Sequence, residues 1–468
     1  MKIELNKELN KRSIEEFARV MLEDVAEDNI KYNILEKENK ISVKVFSQNL
    51  NKETEFQYEK LGEKIEDQEL TMSKIALLKL YDKKYPWGSL MGVRPTKVLR
   101  RLLINGCTYG ETRNILKNFY LVSDEKIDLM EVVVKKELEL LDKEHINMYI
   151  GIPFCPTKCK YCSFASYEIN GGVGKFYADF VETLLKEIEI IGKFLKTYNK
   201  KISSLYFGGG TPSTLTEIDL ERVLQKLRKD IDLSEVKEFT FEAGREDSLN
   251  IKKLEIMKKY GVDRISLNPQ SFNVETLKRV NRRFDRDNFD LIYKKAKDLE
   301  FIINMDFIIG LPKETTEEIL YTIEEIKKYD IDNLTIHSLS FKRASNLFKE
   351  SQEREEIDRA LIEKHINNIV HEKKLYPYYM YRQKNIIEWG ENIGYSKLGK
   401  ESIFNIEMIE ENQNTMALGG GGISKIVVEE RKGIDYIERY VNPKDPALYI
   451  KELEKRCEEK IALFNKYK

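Results

Sequence analysis

The sequence predicts an α/β fold built on a parallel sheet with helices outside it. Between residues 146 and 341, apolar strand-like segments alternate with helical patterns six times. The strand candidates are 146–154, 202–207, 236–242, 262–268, 301–309 and 334–341. The clearest helical pattern lies at 175–197, where apolar residues recur along one stripe. Such alternation is typical of a parallel sheet, which is either open and doubly wound or curled into an incomplete barrel.

The regions on either side of this pattern complete a prediction of three domains. Residues 1–145 combine an amphipathic helical pattern with an alternating strand pattern at 41–46, so we expect an N-terminal α+β accessory domain. Residues 146–345 form the α/β core. Residues 346–468 are expected to be a mainly helical C-terminal region that covers the substrate.

Composition narrows the possible partners and compartment. The 468 residues include 79 Lys and Arg against 80 Asp and Glu, so the net charge of -1 favours neither nucleic acid nor an anionic membrane. The N-terminus has no apolar signal core, and no apolar run approaches membrane-spanning length. We therefore expect a cytoplasmic protein, in which the isolated Cys107 and Cys457 are reduced thiols.

The other three cysteines lie together after the first core strand. Cys155, Cys159 and Cys162 are spaced C-x3-C-x2-C within Y-I-G-I-P-F-C-P-T-K-C-K-Y-C-S-F-A-S. Thiolates this close can all point at one soft metal centre, and a cubane iron–sulfur cluster held by three cysteines keeps one iron open for another ligand. A zinc site completed by His145 or Ser163, or thiols without a role, are the alternatives.

An aromatic residue, Tyr161, stands before the third cysteine, where its ring can shield a cluster or pack on a planar ligand. This C-x3-C-x-aromatic-C loop resembles that of the radical S-adenosylmethionine (SAM) superfamily. The resemblance implies a partial (β/α)6 barrel, similar to a TIM barrel, rather than a doubly wound sheet. It also implies two cofactors, a [4Fe–4S] cluster on the three cysteines and SAM on the open iron, and hence an anaerobic setting.

Polar residues and glycines follow the ends of the predicted strands, where parallel α/β folds collect their chemistry. They fall in the motifs G-G-G-T-P, F-E-A-G-R, N-P-Q-S-F, V-N-R and D-F-I-I-G-L-P. A lone glycine triplet is more often a tight turn, and a single Glu or Asp more often forms a salt bridge. Together, however, these residues predict a polar ring at one barrel mouth: Gly208, Gly209, Gly210, Glu242, Gln270, Arg282 and Asp306.

The series of motifs resembles the oxygen-independent coproporphyrinogen III oxidase family over roughly residues 145–345. Further motifs look like the HemZ branch of that family and extend the resemblance over nearly the whole chain. These are G-V-R-P-T-K at 92–97, Y-P-Y-Y-M-Y-R-Q-K-N at 376–385, G-K-E-S-I-F-N-I at 399–406 and A-L-G-G-G-G at 417–422. By this resemblance, SAM is bound by Tyr149, the backbone of the glycine triplet, Glu242, Gln270, Arg282 and Asp306.

The family reaction implies a substrate and a partner. A 5′-deoxyadenosyl radical takes hydrogen from a propionate, which loses CO2 and becomes a vinyl group, and two rounds convert coproporphyrinogen III to protoporphyrinogen IX. A reductant such as flavodoxin or ferredoxin supplies the electron. Three alternatives stay open: a haem-binding chaperone, a radical methyltransferase acting on haem, and a non-enzymatic zinc or cluster protein.

Two departures from the better-known oxidase branch leave the substrate step less certain than the cofactor chemistry. Gly151 stands where that branch has His directly before I-P-F-C. That branch also has a further cysteine shortly after the triplet, where this chain has Ser163, Phe164 and Ala165.

The C-terminal region offers candidate substrate contacts. Tyrosines at 376–381 interleave with Arg382 and Lys384. Such tyrosines are usually half-buried core, but rings on a macrocycle face and cations at its propionates are also a suitable arrangement. We expect Tyr381 and Arg382 to contact the tetrapyrrole within a lid over the open barrel. The glycines at 419–422 fit a turn and a ligand-facing backbone equally well.

Overall fold

The computed structural model describes residues 1–22, 28–65, 67–92, 94–164, 166–198, 200–339, 355–382, 391–429 and 435–467. The chain divides into two compact units, one of residues 1–136 and one formed by residues 137–429 with 435–468.

The first unit contains a four-stranded sheet in the order β1-β2-β3-β4, with β1 parallel to β2 and the other pairs antiparallel. Alternate residues of β2, Ile30, Tyr32 and Ile34, are buried, which is the period of a half-covered strand. The predicted strand at 41–46 is confirmed as β3. The elements are β1 (Lys2–Leu5), α1 (Lys11–Met21), β2 (Asn29–Glu36), β3 (Lys40–Ser47), β4 (Lys52–Glu59), α2 (Gln68–Leu80), α3 (Thr96–Ile104), α4 (Tyr109–Asn114) and α5 (Asp124–Leu140), whose last turn belongs to the second unit.

The second unit carries the α/β core and the C-terminal region. Its elements up to the last predicted strand are β5 (Ile146–Ile152), β6 (Phe154–Cys155), β7 (Tyr167–Glu168), α6 (Tyr177–Leu195), β8 (Ile202–Gly209), α7 (Glu217–Asp230), β9 (Glu238–Gly244), α8 (Ile251–Lys259), β10 (Arg264–Leu267), α9 (Val274–Arg279), α10 (Arg286–Asp298), β11 (Ile302–Ile309), α11 (Thr316–Ile326) and β12 (Asn333–Ser338). The C-terminal elements are α12 (Arg359–Glu372), β13 (Tyr376–Arg382), β14 (Glu391–Ser396), α13 (Ile403–Glu410), β15 (Thr415–Gly419), β16 (Ile423–Glu429), β17 (Asp435–Val441), α14 (Pro446–Lys451) and α15 (Leu453–Lys466).

Six parallel strands lie side by side in chain order, β5-β8-β9-β10-β11-β12, and correspond to the six predicted strands. A doubly wound sheet reverses its strand order at a switch point, and this sheet does not. The strands therefore wind in one direction, which confirms the partial barrel. The sheet does not close, since both ends continue into other strands.

Helices cover the outer face of these strands. Along α6, the predicted apolar stripe is buried at Phe180, Leu184, Ile188 and Ile191. Burial of each such side chain contributes about 1.5–3 kcal/mol, so this stripe fixes which face of α6 packs on the sheet.

The C-terminal region contains more strand than the sequence analysis predicted. Strand β14 pairs antiparallel with β12 and carries β13, while β15 pairs parallel with β5 and carries β16 and β17. These strands continue the barrel sheet on both sides and lie in the same compact unit. The predicted boundary after residue 345 is therefore not a boundary between compact units. Strand pairing between distant segments leaves no local signal, which is why it was missed.

Helix α13 and the residues before it close the end of the barrel at which the strands begin. Ser402 Oγ donates to Glu238, the first residue of β9, at 2.8 Å. Arg264, the first residue of β10, donates to the carbonyl oxygens of Lys400 and Glu401, each at 2.9 Å. Residues 400–402 thus lie at the end of the barrel where the strands begin, and the predicted lid of residues 376–385 stays a prediction.

No helix in the described part of the chain is long and apolar enough to cross a membrane.

Candidate active site

The inside of the partial barrel encloses a cavity of about 460 Å³. Residues from all six parallel strands, the cysteine loop, β13 and α13 line it. Of the predicted site residues, those that line it are Tyr149, Cys155, Cys159, Tyr161, Cys162, Gly209, Gly210, Glu242, Gln270, Arg282, Asp306 and Tyr381. Gly208 and Arg382 do not line it.

The cysteine loop begins where β5 ends. Short strand β6, which contains Cys155, pairs with β7, and Thr211 after β8 donates its hydroxyl to Cys155 Sγ at 3.2 Å. Arg245 after β9 donates to the carbonyl oxygen of Thr157 at 3.1 Å, and one of its guanidinium nitrogens lies 3.9 Å from Cys159 Sγ. The loop is therefore held by the strand ends on either side of it.

This loop fits an iron–sulfur cluster. Its three cysteines all line the cavity, and Cys155 and Cys159 are buried. A cubane cluster binds each cysteine through a different iron, so three thiolates that face one cavity suit it. The buried hydroxyl of Ser166 faces the same cavity and lies within hydrogen-bond reach of the thiols of Cys155 and Cys162, where cluster sulfur would accept its hydrogen bond.

The alternative zinc ligand His145 lies at the other end of β5. Its Nδ1 is 2.6 Å from Asp142 Oδ2. The seven residues of β5 separate it from the cysteine loop by roughly 20 Å at about 3.3 Å per residue. His145 is therefore not part of this site.

Three stacked aromatic rings form one wall. The rings of Tyr206 and Phe404 lie 4.2 Å apart at 15°, and Tyr149 stacks 6.2 Å from each of them. Tyr206 donates its hydroxyl to Glu242 at 2.5 Å. Burial raises the pKa of Glu242 to about 7, and the hydrogen bond from Tyr206 opposes part of this rise. Burial therefore favours the protonated form of Glu242 in the empty site.

Gly208 leaves the space that the rings of this wall occupy. A Cβ atom at this position would lie 3.0 Å from the rings of Tyr149 and Tyr206 and 3.1 Å from Glu242. The absence of a side chain at Gly208 thus lets these three groups approach each other. The next two glycines of the triplet line the cavity directly.

A polar network crosses the ends of β10 and β11. Asp306 accepts hydrogen bonds from the side-chain amides of Asn268 and Asn304, each at 3.0 Å. His337 on β12 places its Nε2 3.9 Å from Asp306 and its Nδ1 3.1 Å from the Tyr381 hydroxyl. The network fixes the Asp306 carboxylate toward the middle of the cavity.

Several polar atoms of the lining have no hydrogen-bond partner in the structure. Gln270, which is held at φ 69°, leaves its Oε1 unbonded, and Arg282 leaves its Nε unbonded while it donates to the carbonyl oxygens of Gly244 and Asn268. Buried polar atoms normally find partners, so these atoms indicate a polar ligand in this space. SAM has a carboxylate, an amino group and ribose hydroxyls that match such atoms.

Sequence reasoning missed part of the lining. Tyr206, Arg245, Asn268, Asn304, His337 and Phe404 all line the cavity. Arg245 and Asn268 lie inside the motifs F-E-A-G-R and N-P-Q-S-F, so the motifs contained their signal. Phe404 comes from α13, and only the fold brings it beside the strands.

The two candidate substrate residues are separated by the pleat of β13. Tyr381 faces the cavity, whereas Arg382 is buried on the opposite face of the strand, where burial lowers its pKa to about 10. Arg382 therefore does not face this cavity, because consecutive residues of a strand face opposite sides, and its contact with the tetrapyrrole stays a prediction. Lys384 lies outside the described residues.

The glycine run 419–422 forms a turn packed on β5. Gly420 N–H donates to the carbonyl oxygen of Gly151 at 3.0 Å, and none of the four glycines lines the cavity. A Cβ atom at Gly151 would lie 2.5 Å from the carbonyl oxygen of Gly420. This turn therefore leaves no room for a side chain such as His at position 151.

Comparison with known proteins gives the family. The sequence profile of the Radical SAM superfamily matches residues 149–326. The oxygen-independent coproporphyrinogen-III oxidase-like protein HemZ of Bacillus subtilis is 38% identical over 385 residues, which cover 80% of this chain and 76% of that protein. The heme chaperone HemW of Bacillus subtilis is 29% identical over 195 residues, which cover 41% of this chain and 50% of HemW.

The fold has a counterpart among solved structures. Coproporphyrinogen III oxidase (HemN) from Escherichia coli, a radical SAM enzyme, superimposes with a TM-score of 0.54 at 18% identity, over 69% of this chain and 73% of HemN. The long HemZ match and the profile agree with the cysteine loop and the barrel. The chain belongs to the oxygen-independent coproporphyrinogen-III oxidase-like family of radical SAM proteins, whose cofactors are a [4Fe–4S] cluster and SAM.

Proposed function

We propose that this protein is a radical SAM enzyme that oxidatively decarboxylates the propionate side chains of coproporphyrinogen III to vinyl groups, giving protoporphyrinogen IX. The observation that carries the proposal is a single cavity that joins the cysteine loop to the polar ring and to Tyr381. A ligand in this cavity lies close to the cluster site and also to the wall that contains Tyr381. The proposal is also supported by the HemZ relative, which matches 80% of this chain.

Cys155, Cys159 and Cys162 would hold the cluster, which together with SAM would supply one-electron radical chemistry that can remove a hydrogen atom from the substrate. The residues of this chain position the cofactor and exclude water. In our proposal Arg282 binds the SAM carboxylate, since a guanidinium suits that group, and the carboxylates of Glu242 and Asp306 accept hydrogen bonds from its hydroxyl and amino groups. Tyr149, Tyr161 and the backbone of Gly209 and Gly210 shape the space around it, and Gly208 lets Tyr149, Tyr206 and Glu242 approach each other.

The substrate step is proposed to begin with hydrogen transfer from a propionate to the radical. The propionate then loses CO2 and passes one electron to an acceptor, which leaves a vinyl group. Tyr381, held by His337, is the proposed polar contact with the macrocycle. Arg382 is not part of this proposal, because it lies on the other face of β13.

A haem-binding chaperone is the second candidate. One observation favours it: the relatives include the heme chaperone HemW, which is 29% identical over 195 residues.

Anaerobic turnover with coproporphyrinogen III separates the two. The cluster-loaded protein, reduced with dithionite and given SAM, should yield tetrapyrroles that have lost CO2 and two hydrogens per propionate, together with 5′-deoxyadenosine. Tight retention of unmodified haem without a vinyl product would support the chaperone. A methylated or ring-opened product would support a methyltransferase instead.

A further inference from the structure

The cluster needs one electron from outside the cavity, and residues of the cysteine loop also line a surface cleft of about 710 Å³. The loop itself forms one side of this cleft through Lys158 and Lys160, which flank Cys159. Ser166 lines both the cleft and the central cavity, so a single residue forms the wall between them at this point.

The charge of this cleft differs from that of the whole chain. Its lining contains the cations Lys158, Lys160, Lys278 and Arg279 against one carboxylate, Glu168, whereas the chain as a whole has a net charge of -1. A cleft lined mainly by one sign of charge attracts partners of the opposite sign and accelerates their association.

Neighbouring carboxylates offset part of this charge, and the exposed pair of Lys278 is the weakest of these contacts. Glu275 pairs with Lys278 at 2.7 Å, but both side chains are more than 60% exposed, so the pair contributes little and exchanges readily for another anion. Glu318 pairs with Arg279 at 2.7 Å. Glu168 lies in the cleft and accepts a hydrogen bond from the Lys158 N–H at 3.0 Å.

The walls of the cleft are tied together by the backbone. Lys160 N–H donates to the carbonyl oxygen of Val280 at 3.0 Å, and the Asn281 side chain donates to the carbonyl oxygen of Lys158 at 3.0 Å. The cysteine loop and the end of α9 therefore form one surface without a change of conformation. A pre-formed surface reduces the free-energy cost of docking.

We propose that this cleft, defined by Lys158, Lys160, Lys278 and Arg279, is the docking surface for an acidic one-electron carrier protein. In the docked complex the reduced carrier loses one electron and the cluster gains it, and the carrier leaves in its oxidised form. The inference deepens the proposed function by locating the entry of its electron. Its test is reduction of the cluster, which needs no tetrapyrrole, so it can fail or succeed independently of the proposed reaction.

The experiment compares two charge reversals on exposed lysines that each pair with a Glu on their own helix. Lys278→Glu lies in the cleft, and Lys193→Glu on α6 is the matched control, with side-chain exposures of 64% and 71%. The cluster-loaded proteins are reduced under anaerobic conditions either by a flavodoxin of net negative charge in its fully reduced form or by dithionite, and cluster reduction is followed spectroscopically.

We expect Lys278→Glu to lower the second-order rate constant for flavodoxin about tenfold at low ionic strength and to weaken the salt dependence of that rate. The affinity for flavodoxin should fall as well, measured as binding of the oxidised protein to flavodoxin immobilised on a sensor surface. Lys193→Glu should behave as the unchanged protein, and dithionite should reduce all three equally. A second variant, Lys158→Glu, should show the same loss with an unchanged iron content.

Three results would overturn the proposal. These are unchanged flavodoxin kinetics in both cleft variants, an equal loss in Lys193→Glu, and an equal loss with dithionite. The last result would mean that the charge acts on the cluster itself and not on docking.

Discussion

Two sets of buried polar groups in the second unit differ in how completely they are hydrogen-bonded. Outside the barrel, the fully buried Glu187 carboxylate receives four donors: Lys460 Nζ at 2.7 Å, Asn442 at 3.1 Å, Tyr449 OH at 2.6 Å and Gly419 N–H at 2.7 Å. Only the carbonyl oxygen of the Asn442 side chain lacks a partner in this set of side chains.

Inside the barrel, four of the described residues that line the cavity have a buried polar atom without a hydrogen-bond partner. They are Arg264, Gln270, Arg282 and Asn304. A saturated network stabilises a fold, whereas unpaired buried groups cost free energy unless a ligand satisfies them. The comparison therefore separates a structural cluster that joins α6, the glycine turn and α15 from a site prepared for polar ligands.

The largest expected effect concerns the cysteine loop. Cys155→Ala should abolish iron and sulfide binding, from about four of each per chain to none, because three thiolates are the only protein ligands proposed for the cluster. Iron and acid-labile sulfide analysis after anaerobic reconstitution measures this. Cys107→Ser, in the first unit, should keep the full content. Retention of a complete cluster by the Cys155 variant would disprove the ligand set.

The second largest expected effect concerns the hydrogen-bonded network around Glu187. Lys460→Met leaves the Glu187 carboxylate buried without its cation, so the free energy of unfolding should fall by about 3–5 kcal/mol. Chemical denaturation compares it with Lys455→Met, an exposed position on the same helix, which should change stability by less than about 0.5 kcal/mol. Equal losses in the two variants would contradict a structural role for this ion pair.

A substitution in the cavity should change ligand binding and not the stability of the fold. Glu242→Ala should weaken SAM binding about ten- to a hundredfold, since a charge-assisted hydrogen bond contributes about 1.5–3 kcal/mol, while iron content stays unchanged. Titration of the cluster-loaded protein with SAM measures this. Glu235→Ala, an exposed carboxylate just before the same strand, is the control. Unchanged affinity in the Glu242 variant would remove this residue from the SAM site.

The pKa of Glu242 also predicts a pH dependence. Burial raises this pKa to about 7, so the empty site holds a proton below that pH, and the contribution of this carboxyl group to the stability of the fold is lost as pH rises through 7. SAM hydroxyls require the ionised carboxylate as acceptor. SAM affinity should therefore rise about tenfold from pH 6 to pH 8. Glu242→Gln should remove this part of the dependence, and an identical pH profile in both proteins would contradict it.

The smallest effect concerns the wall on β13. Tyr381→Phe removes one hydroxyl and should raise the tetrapyrrole dissociation constant several-fold, by about 1 kcal/mol, while dithionite-driven SAM cleavage without substrate continues. Tyr376→Phe, at an exposed position of the same strand, is the matched control. An equal effect in both variants, or none in either, would place the macrocycle elsewhere.

The sequence by itself determined the parallel α/β core, the cysteine loop and most of the polar ring. Strand–helix alternation and the three-cysteine spacing are local patterns, and the carboxyl ends of parallel strands meet at one edge wherever such a core forms. The positions of Glu242, Gln270, Arg282 and Asp306 in the chain, each at or just after a strand, were therefore enough to predict that they meet at one mouth.

Only the tertiary structure decided what surrounds that core. The pairing of β15 with β5, the insertion of Phe404 from α13 and the contact of Gly420 with Gly151 join segments that are far apart in the chain. The face of β13 on which Arg382 lies depends on strand register, which the run of tyrosines and basic residues does not encode. Long-range pairing and register are properties of the packed sheet. Local sequence patterns do not show which distant segments pair, so these features could not be predicted from the sequence.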